Sequence, residues 1–192
     1  MAEDPTTAPE KSDEKVIEDA GLDPETGAED EASYEEEQLP ESWFITGANG
    51  NLGQRLIRKL LSEGADVTAV VRSTRAEREL SQAVNFNNKL RIEVIDYSET
   101  MLLGQAAYGA QFAVHLVGIL KATKDATYAR AHEASCTSLS RALKGTSVEH
   151  ITYLSILGAK PSSSNPCLAS KGRAERILSL IHISEPTRLC RI

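Results

Sequence analysis

Cysteine is scarce in this chain of 192 residues: Cys136, Cys167 and Cys190 are the only three. An odd count without a Cys-x-x-Cys spacing excludes a disulfide framework and argues against a bound metal. Aromatic residues make up only 5% of the sequence. No apolar run approaches the ~18 residues of a membrane-spanning helix. Nor does the N-terminus have the charged-then-apolar pattern of a secretory leader. The chain is therefore expected to act in the cytoplasm, with no integral membrane segment. No internal repeat is visible.

Positive charge is also short overall, with a formal net of −7, but the deficit is local. Residues 1–40 hold 15 Asp and Glu against two Lys, a net of −13. The remaining residues are mildly basic, with 19 Lys and Arg against 13 Asp and Glu. With Pro5, Pro9, Pro24 and Pro40 and few large apolar side chains, the acidic stretch cannot bury enough surface to offset its ordering entropy. It is expected to be a disordered tail. Such a tail repels nucleic acid and anionic membranes; it serves either as an arm for a basic protein partner or as a solubilising leader. No nucleic acid is expected among the partners.

What the sequence does have is Thr46-Gly47-Ala48-Asn49-Gly50-Asn51-Leu52-Gly53, three glycines at three-residue spacing. The β-rich run Trp43-Phe44-Ile45 precedes it, and Leu52, Leu56, Ile57, Leu60 and Leu61 follow on one helical face. Strand, turn and helix in this order form the floor of a dinucleotide site. A pyrophosphate needs bare backbone N–H groups at a helix N-terminus, and side chains at Gly47 or Gly50 would block it or the turn that aims them. Gly53 lets the helix pack closely on the strand, and Gly64 marks the helix end.

Further strands are predicted at Asp66–Val71, Leu90–Ile95, Phe112–Val117 and Ile151–Leu154. Helices are predicted over about 75–84, 100–108 and 127–144. This alternation implies an α/β fold, a doubly wound parallel sheet that binds ligands at the carboxyl ends of its strands. Arg72 ends the second strand, nineteen residues after Gly53, where an NAD-specific site would place an acidic residue for the ribose 2′-hydroxyl. A guanidinium there, with Arg75 close by, suits a 2′-phosphate, so NADP(H) is expected over NAD(H). Asp96 and Tyr97 end the third strand within reach of an adenine, and Val117 and Gly118 end the fourth. His115, inside a strand, reads as a packed histidine rather than a base.

The glycine motif, Val71-Arg72, Asp96, His115-Leu116-Val117-Gly118 and Tyr153-Leu154-Ser155 with Lys171 resemble the extended and atypical short-chain dehydrogenase/reductases over about residues 42–177. Closest are the NmrA-like proteins, the epimerase/dehydratase type and the family of the complex I accessory subunit with this fold. The resemblance implies a Rossmann domain with Thr46, Gly47, Asn49, Gly50, Asn51, Leu52, Gly53, Arg72, Asp96, Tyr97, Val117, Gly118 and Lys171 at the cofactor. Catalytic members carry a Ser and a Tyr-x-x-x-Lys segment, in which the tyrosine is acid and base and the lysine holds the nicotinamide ribose. Here that segment is Cys167-Leu168-Ala169-Ser170-Lys171, without the tyrosine. Ser155 and Lys171 stay as candidate catalytic residues, and Cys167 reads as a small filler. Glu133 falls near the place where many members carry an asparagine.

Two functions are compatible with this pattern. One is a cofactor-binding module whose turnover is unproved. The other is an active NADP(H)-dependent reductase, or an epimerase or dehydratase, whose substrate region lies elsewhere. The stretch from Leu178 to Arg188 matches one reading frame of a common sequencing adapter. The Rossmann domain is therefore expected to span 41–177, truncated after the fifth strand and its helix, with 178–192 a non-native tail. The alternative is a short strand, Leu178 to Ile183.

Overall fold

The computed structural model describes residues 40–85 and 87–180. The expected acidic tail, save Pro40, and residues 181–192 lie outside the described residues. Five parallel strands form one sheet: β1 (Ser42–Thr46), β2 (Asp66–Val71), β3 (Leu90–Val94), β4 (Phe112–His115) and β5 (His150–Tyr153), in the order β3-β2-β1-β4-β5. The helices are α1 (Asn51–Ser62), α2 (Thr74–Val84), α3 (Thr100–Ala106), α4 (Ser135–Ala142) and α5 (Pro166–Ser179), with a π-helical turn (Ala129–Ala134) leading into α4. This is the doubly wound α/β topology, and its switch point, where the strand order reverses, lies between β1 and β4.

Period-two alternation builds the two layers. Phe44, Val70, Ala113, Ile151 and Tyr153 point to one face and join Leu103, Leu139 and Leu178 in one core. Ile45, Val67, Ala69, Val71 and Val114 point to the other and meet Ile57, Leu60 and Leu80 of α1 and α2. Each fully buried side chain of this size contributes roughly 1.5–3 kcal/mol. Gly64 and Ala65 close α1 with N–H bonds to Leu61 O (3.2 Å) and Leu60 O (3.1 Å), satisfying carbonyls that the helix end leaves over. Asn165 caps α5 through Cys167 N–H (2.9 Å) and Leu168 N–H (3.3 Å), with Pro166 in the first turn; both residue types suit those positions.

Several element boundaries differ from the sequence expectation by a residue or two, and three differences have a visible cause or consequence. Strand β4 stops at His115 rather than Val117, because the next residues pass over Gly47: a Cβ on Gly47 would lie 3.0 Å from Leu116 C. The expected long helix from 127 to 144 opens as a π-turn. There the Ser135 hydroxyl donates to Ala131 O (2.7 Å), the acceptor that an α-helical Ser135 N–H would use. Leu178 and Ser179 belong to α5, and Leu178 is 1% exposed in the core. They are helical where the alternative reading had a strand to Ile183.

Candidate functional site

The glycine turn, the ends of β2, β3 and β4, and the π-turn meet at the switch point. Gly47 has a φ of +76°, which L side chains rarely adopt. A Cβ on Gly53 would lie 2.5 Å from Ala48 O, so α1 docks on the turn only because that side chain is missing. Gly50 differs from both. It is the N-cap of α1 at φ −68°, ψ 161°, and its Cβ would meet only Gly47 O, at 3.3 Å. Neither backbone strain nor severe crowding requires glycine there; open space above the turn is what its absent side chain provides. No side chain caps α1, and Gln54 N–H closes a bond on Gly50 O (2.9 Å). The N–H groups of Asn51, Leu52 and Gly53 are thus placed to receive an anion, which the helix dipole favours.

A cavity of about 190 Å³ opens beside this turn, lined by Arg72, Asp96, Tyr97, Val117, Gly118 and Ile119 on the strand side. Arg130, Ala131, Ala134 and Ser135 line its opposite wall. A neighbouring cleft shares Arg72 and Asp96 and adds Asn49, Ser73 and Arg75. Arg75 is already paired with Glu79 (2.8 Å). Arg72 makes no ion pair among the described residues; its guanidinium lies 5.7 Å from the centre of the Tyr97 ring. Ser98 donates its hydroxyl (2.7 Å) and its N–H (2.9 Å) to Asp96 and so holds that carboxyl below its ordinary range. Arg72, Asp96, Tyr97, Val117 and Gly118, singled out from sequence, therefore line one cavity.

Tyr97 is placed differently from a simple adenine contact. It is 8% exposed, and its hydroxyl accepts from Gly47 N–H (2.8 Å) and donates to Val70 O (3.4 Å). The ring lines the cavity while the oxygen is spent on the turn.

Behind the cavity the polar groups face inward. His115 is buried between Thr46 (Oγ1 to Nδ1, 2.6 Å) and Ser135 (Oγ to Nε2, 3.2 Å). Since Ser135 spends its proton on Ala131 O, its oxygen accepts from His115 Nε2–H, and Nδ1 accepts from Thr46. Burial, with Lys171 nearby, holds this imidazole down to about 3. It stays neutral at physiological pH and serves as a tie between β1, β4 and α4.

Lys171 is 6% exposed; its ammonium donates to Leu154 O (2.8 Å) and sits 4.5 Å from the Tyr153 ring centre. Burial lowers its pKa below that of an ordinary lysine. Cys167 donates its thiol to Ile119 O (3.6 Å), and Ser155 donates to the Glu175 carboxylate. Tyr153 is buried against Cys136, whose thiol burial pushes up to about 12, and its hydroxyl finds no nitrogen or oxygen partner among the described residues. Glu133 points away from the cavity to Ser170 (2.8 Å) and Arg173 (2.8 and 2.9 Å). Its neighbour His132 is the residue turned inward. Its Nε2 lies 3.1 Å from both N and O of Ile119, and its Nδ1 is buried without a partner among the described residues. Sequence reasoning passed over His132, because the π-turn that orients it carries no recognisable residue pattern.

Comparison with known proteins agrees with this architecture. The model of a family described as NAD(P)H-binding matches residues 47–179. The chain is 27% identical over 147 residues to the ceramide reductase of Caulobacter vibrioides, covering 76% of this chain and 43% of that protein. It is 23% identical over 137 residues to the mitochondrial NADH-ubiquinone oxidoreductase 40 kDa subunit of Neurospora crassa, covering 71% and 36%. It thus spans less than half the length of these relatives. Among solved structures, the yeast methylglyoxal/isovaleraldehyde reductase Gre2 complexed with NADPH shares the fold with a TM-score of 0.59 and 19% identity, over 71% of this chain and 51% of that one. Other structures with this fold are complexes with NAD. Among the described residues no helix is long and apolar enough to cross a membrane, and no cluster of three or more His, Cys, Asp or Glu could hold a metal.

Proposed function

The chain belongs to the NAD(P)H-binding family, and from that premise we propose that it is a dinucleotide-binding domain of the atypical short-chain dehydrogenase/reductase kind. It prefers NADP(H) and has Cys167 where the family resemblance implies the acid/base tyrosine. The fit to a dinucleotide rests on the uncapped α1 N-terminus under Gly50 and on the cavity beside it. Asn51, Leu52 and Gly53 would hold the pyrophosphate through backbone N–H groups. Asp96 and Val117 would border the adenine, and Arg72 would read the 2′-phosphate. A bound nicotinamide would supply hydride chemistry. This chain's own residues would bind and orient it, with Lys171 at the ribose.

The observation that favours a binding module over an enzyme is the arrangement behind the cavity. Where catalytic relatives have a tyrosine, Cys167 is buried and bonded to Ile119 O. Its thiol is spent on that carbonyl. Lys171 and Ser155 are likewise engaged, with Leu154 O and Glu175. Proton transfer requires hydrogen-bond reach before acidity matters. The match to a respiratory-complex subunit supports a structural or sensing role with a protein partner. A reductase reading is favoured by the match to ceramide reductase and by the presence of both Ser155 and Lys171; substrate contacts would then lie outside the described residues.

Titration of the protein with NADPH and NADH, followed by nicotinamide fluorescence, tests the binding half. NADPH should bind more tightly, and Arg72→Glu should cut the NADPH-to-NADH preference by about tenfold or more, since a carboxylate beside a 2′-phosphate is repulsive. An unaltered preference would remove Arg72 from the role. Assaying NADPH oxidation against a panel of carbonyl compounds tests the other half. Turnover that Lys171→Ala abolishes would establish the reductase reading instead.

A further inference from the structure

Tyr97 joins two parts of the site that are far apart in sequence. Its hydroxyl receives the N–H of Gly47 (2.8 Å), fifty residues earlier, and binds Val70 O (3.4 Å). Val70 O also receives Ala48 N–H (3.5 Å). The start of the glycine turn is thus pinned to the end of β2 through one phenol. The face of the same ring carries the Arg72 guanidinium at 5.7 Å. Tyr97 itself is held by the core around Phe44, Val70 and Ile95, so it is a fixed post between two groups that must be aimed.

We propose that Tyr97 is a positioning residue with two separable effects: its hydroxyl fixes the glycine turn for any dinucleotide, and its ring seats Arg72 for a 2′-phosphorylated one. The inference rests on the NADP(H)-binding reading above. Preorganised groups bind more tightly because their ordering cost is met before the ligand arrives. Without the hydroxyl, Gly47 N–H loses its partner and the turn, already at positive φ, loses its anchor. Every ligand whose pyrophosphate sits on that turn is weakened alike. The ring acts otherwise. A guanidinium over an aromatic face is drawn toward it, which holds Arg72 at the mouth of the cleft lined by Ser73 and Arg75. That contact matters only to a ligand with a phosphate there.

Tyr97→Phe and Tyr97→Leu separate the two effects. Tyr97→Phe keeps the ring and is expected to weaken NADPH and NADH equally, by about fivefold each, with their ratio unchanged. Tyr97→Leu removes the ring as well and should lower the NADPH-to-NADH ratio by a further factor of about three. A merely structural tyrosine would move both affinities and never the ratio. If Tyr97→Leu does not fold, Arg72→Ala supplies the second arm. It should lower the NADPH-to-NADH ratio, and the Tyr97→Phe loss should add to it unchanged. Unchanged affinities in Tyr97→Phe overturn the proposal, as does a ratio that falls equally in Tyr97→Phe and Tyr97→Leu. Failure of the unsubstituted protein to bind either nucleotide overturns the dinucleotide reading itself. Binding without preference for NADPH overturns the seat for Arg72.

Discussion

The two halves of the sheet treat their polar groups in opposite ways. In the half formed by β1, β2 and β3, several groups at the strand ends face solvent: no side chain caps α1, Arg72 makes no ion pair among the described residues, and Asp96 is exposed. In the half formed by β4 and β5 they are consumed inside: Lys171 on Leu154 O, Cys167 on Ile119 O, Ser155 on Glu175, and His115 between Thr46 and Ser135. Binding a phosphate needs donors held ready toward solvent, whereas a group already satisfied by the fold must give up that bond before it can act on a ligand. The contrast teaches that groups facing solvent and polar groups spent on the fold itself can stand side by side along the ends of one sheet.

Glycine variants offer the largest test of that contrast. Gly50→Val should remain folded, within about 1 kcal/mol of the parent, because its backbone is extended and its Cβ meets only Gly47 O at 3.3 Å. It should lose at least ~100-fold in dinucleotide affinity, about 2.7 kcal/mol, because the branched side chain would fill the space above the turn. Gly53→Ala should do the reverse. Its Cβ would collide with Ala48 O at 2.5 Å, and forced overpacking of that kind costs roughly 1–3 kcal/mol of stability. Thermal unfolding and calorimetric titration of both variants decide the matter. If Gly50→Val binds like the parent while folded, the open half is not the site.

The open half was also the half legible in the sequence. Backbone-driven features leave a local signature: Gly47, Gly50 and Gly53 lie within seven residues, and Arg72 follows directly on the valines of β2. Apolar, β-rich runs likewise located the five strands, of which β1, β2 and β4 divide their side chains between the two cores. The inward half depends on pairings that no local pattern records. The Tyr97 hydroxyl meets Gly47 across fifty residues. The π-turn shifts the helical register just where Glu133 and His132 exchange inside for outside. Of that half the sequence showed His115 as a packed residue and Val117 and Gly118 at the cavity, while the missing tyrosine was visible only through the family resemblance.

His115 ties the two halves together, and acid should therefore weaken the tie. Its pKa is held down to about 3 by burial, with the Lys171 ammonium and His132 adding to the effect. The unfolded chain, with a histidine pKa near ~6.5, takes up the proton first. The contribution is thus complete above about pH 7 and is lost as pH falls from ~6.5 toward ~3, reaching about 2 kcal/mol by pH 5. His115→Gln offers an amide oxygen to Thr46 and an amide N–H to Ser135 without a titrating group. Its stability should depend less steeply on pH between 7 and 5, with a residual slope from His132, which burial also depresses. Parallel urea-melt midpoints for the two proteins across that range would show that His115 does not carry the acid sensitivity.

The smallest effect is expected where sequence alone would place the largest. The family resemblance implies a catalytic tyrosine where Cys167 stands, yet the thiol makes one long contact, 3.6 Å to Ile119 O, from a buried site. A thiol is a weak donor, and deleting such a contact leaves the carbonyl with its second lone pair free for other donors. Ile119 O also lies within reach of His132 Nε2, at 3.1 Å. Cys167→Ala should therefore change dinucleotide affinity by less than about twofold and stability by under ~1 kcal/mol. A change of tenfold or more, or a carbonyl-reducing activity that disappears with the thiol, would mean that the inward half still takes part in chemistry. The division between the two halves would then have to be redrawn around Cys167 and Lys171.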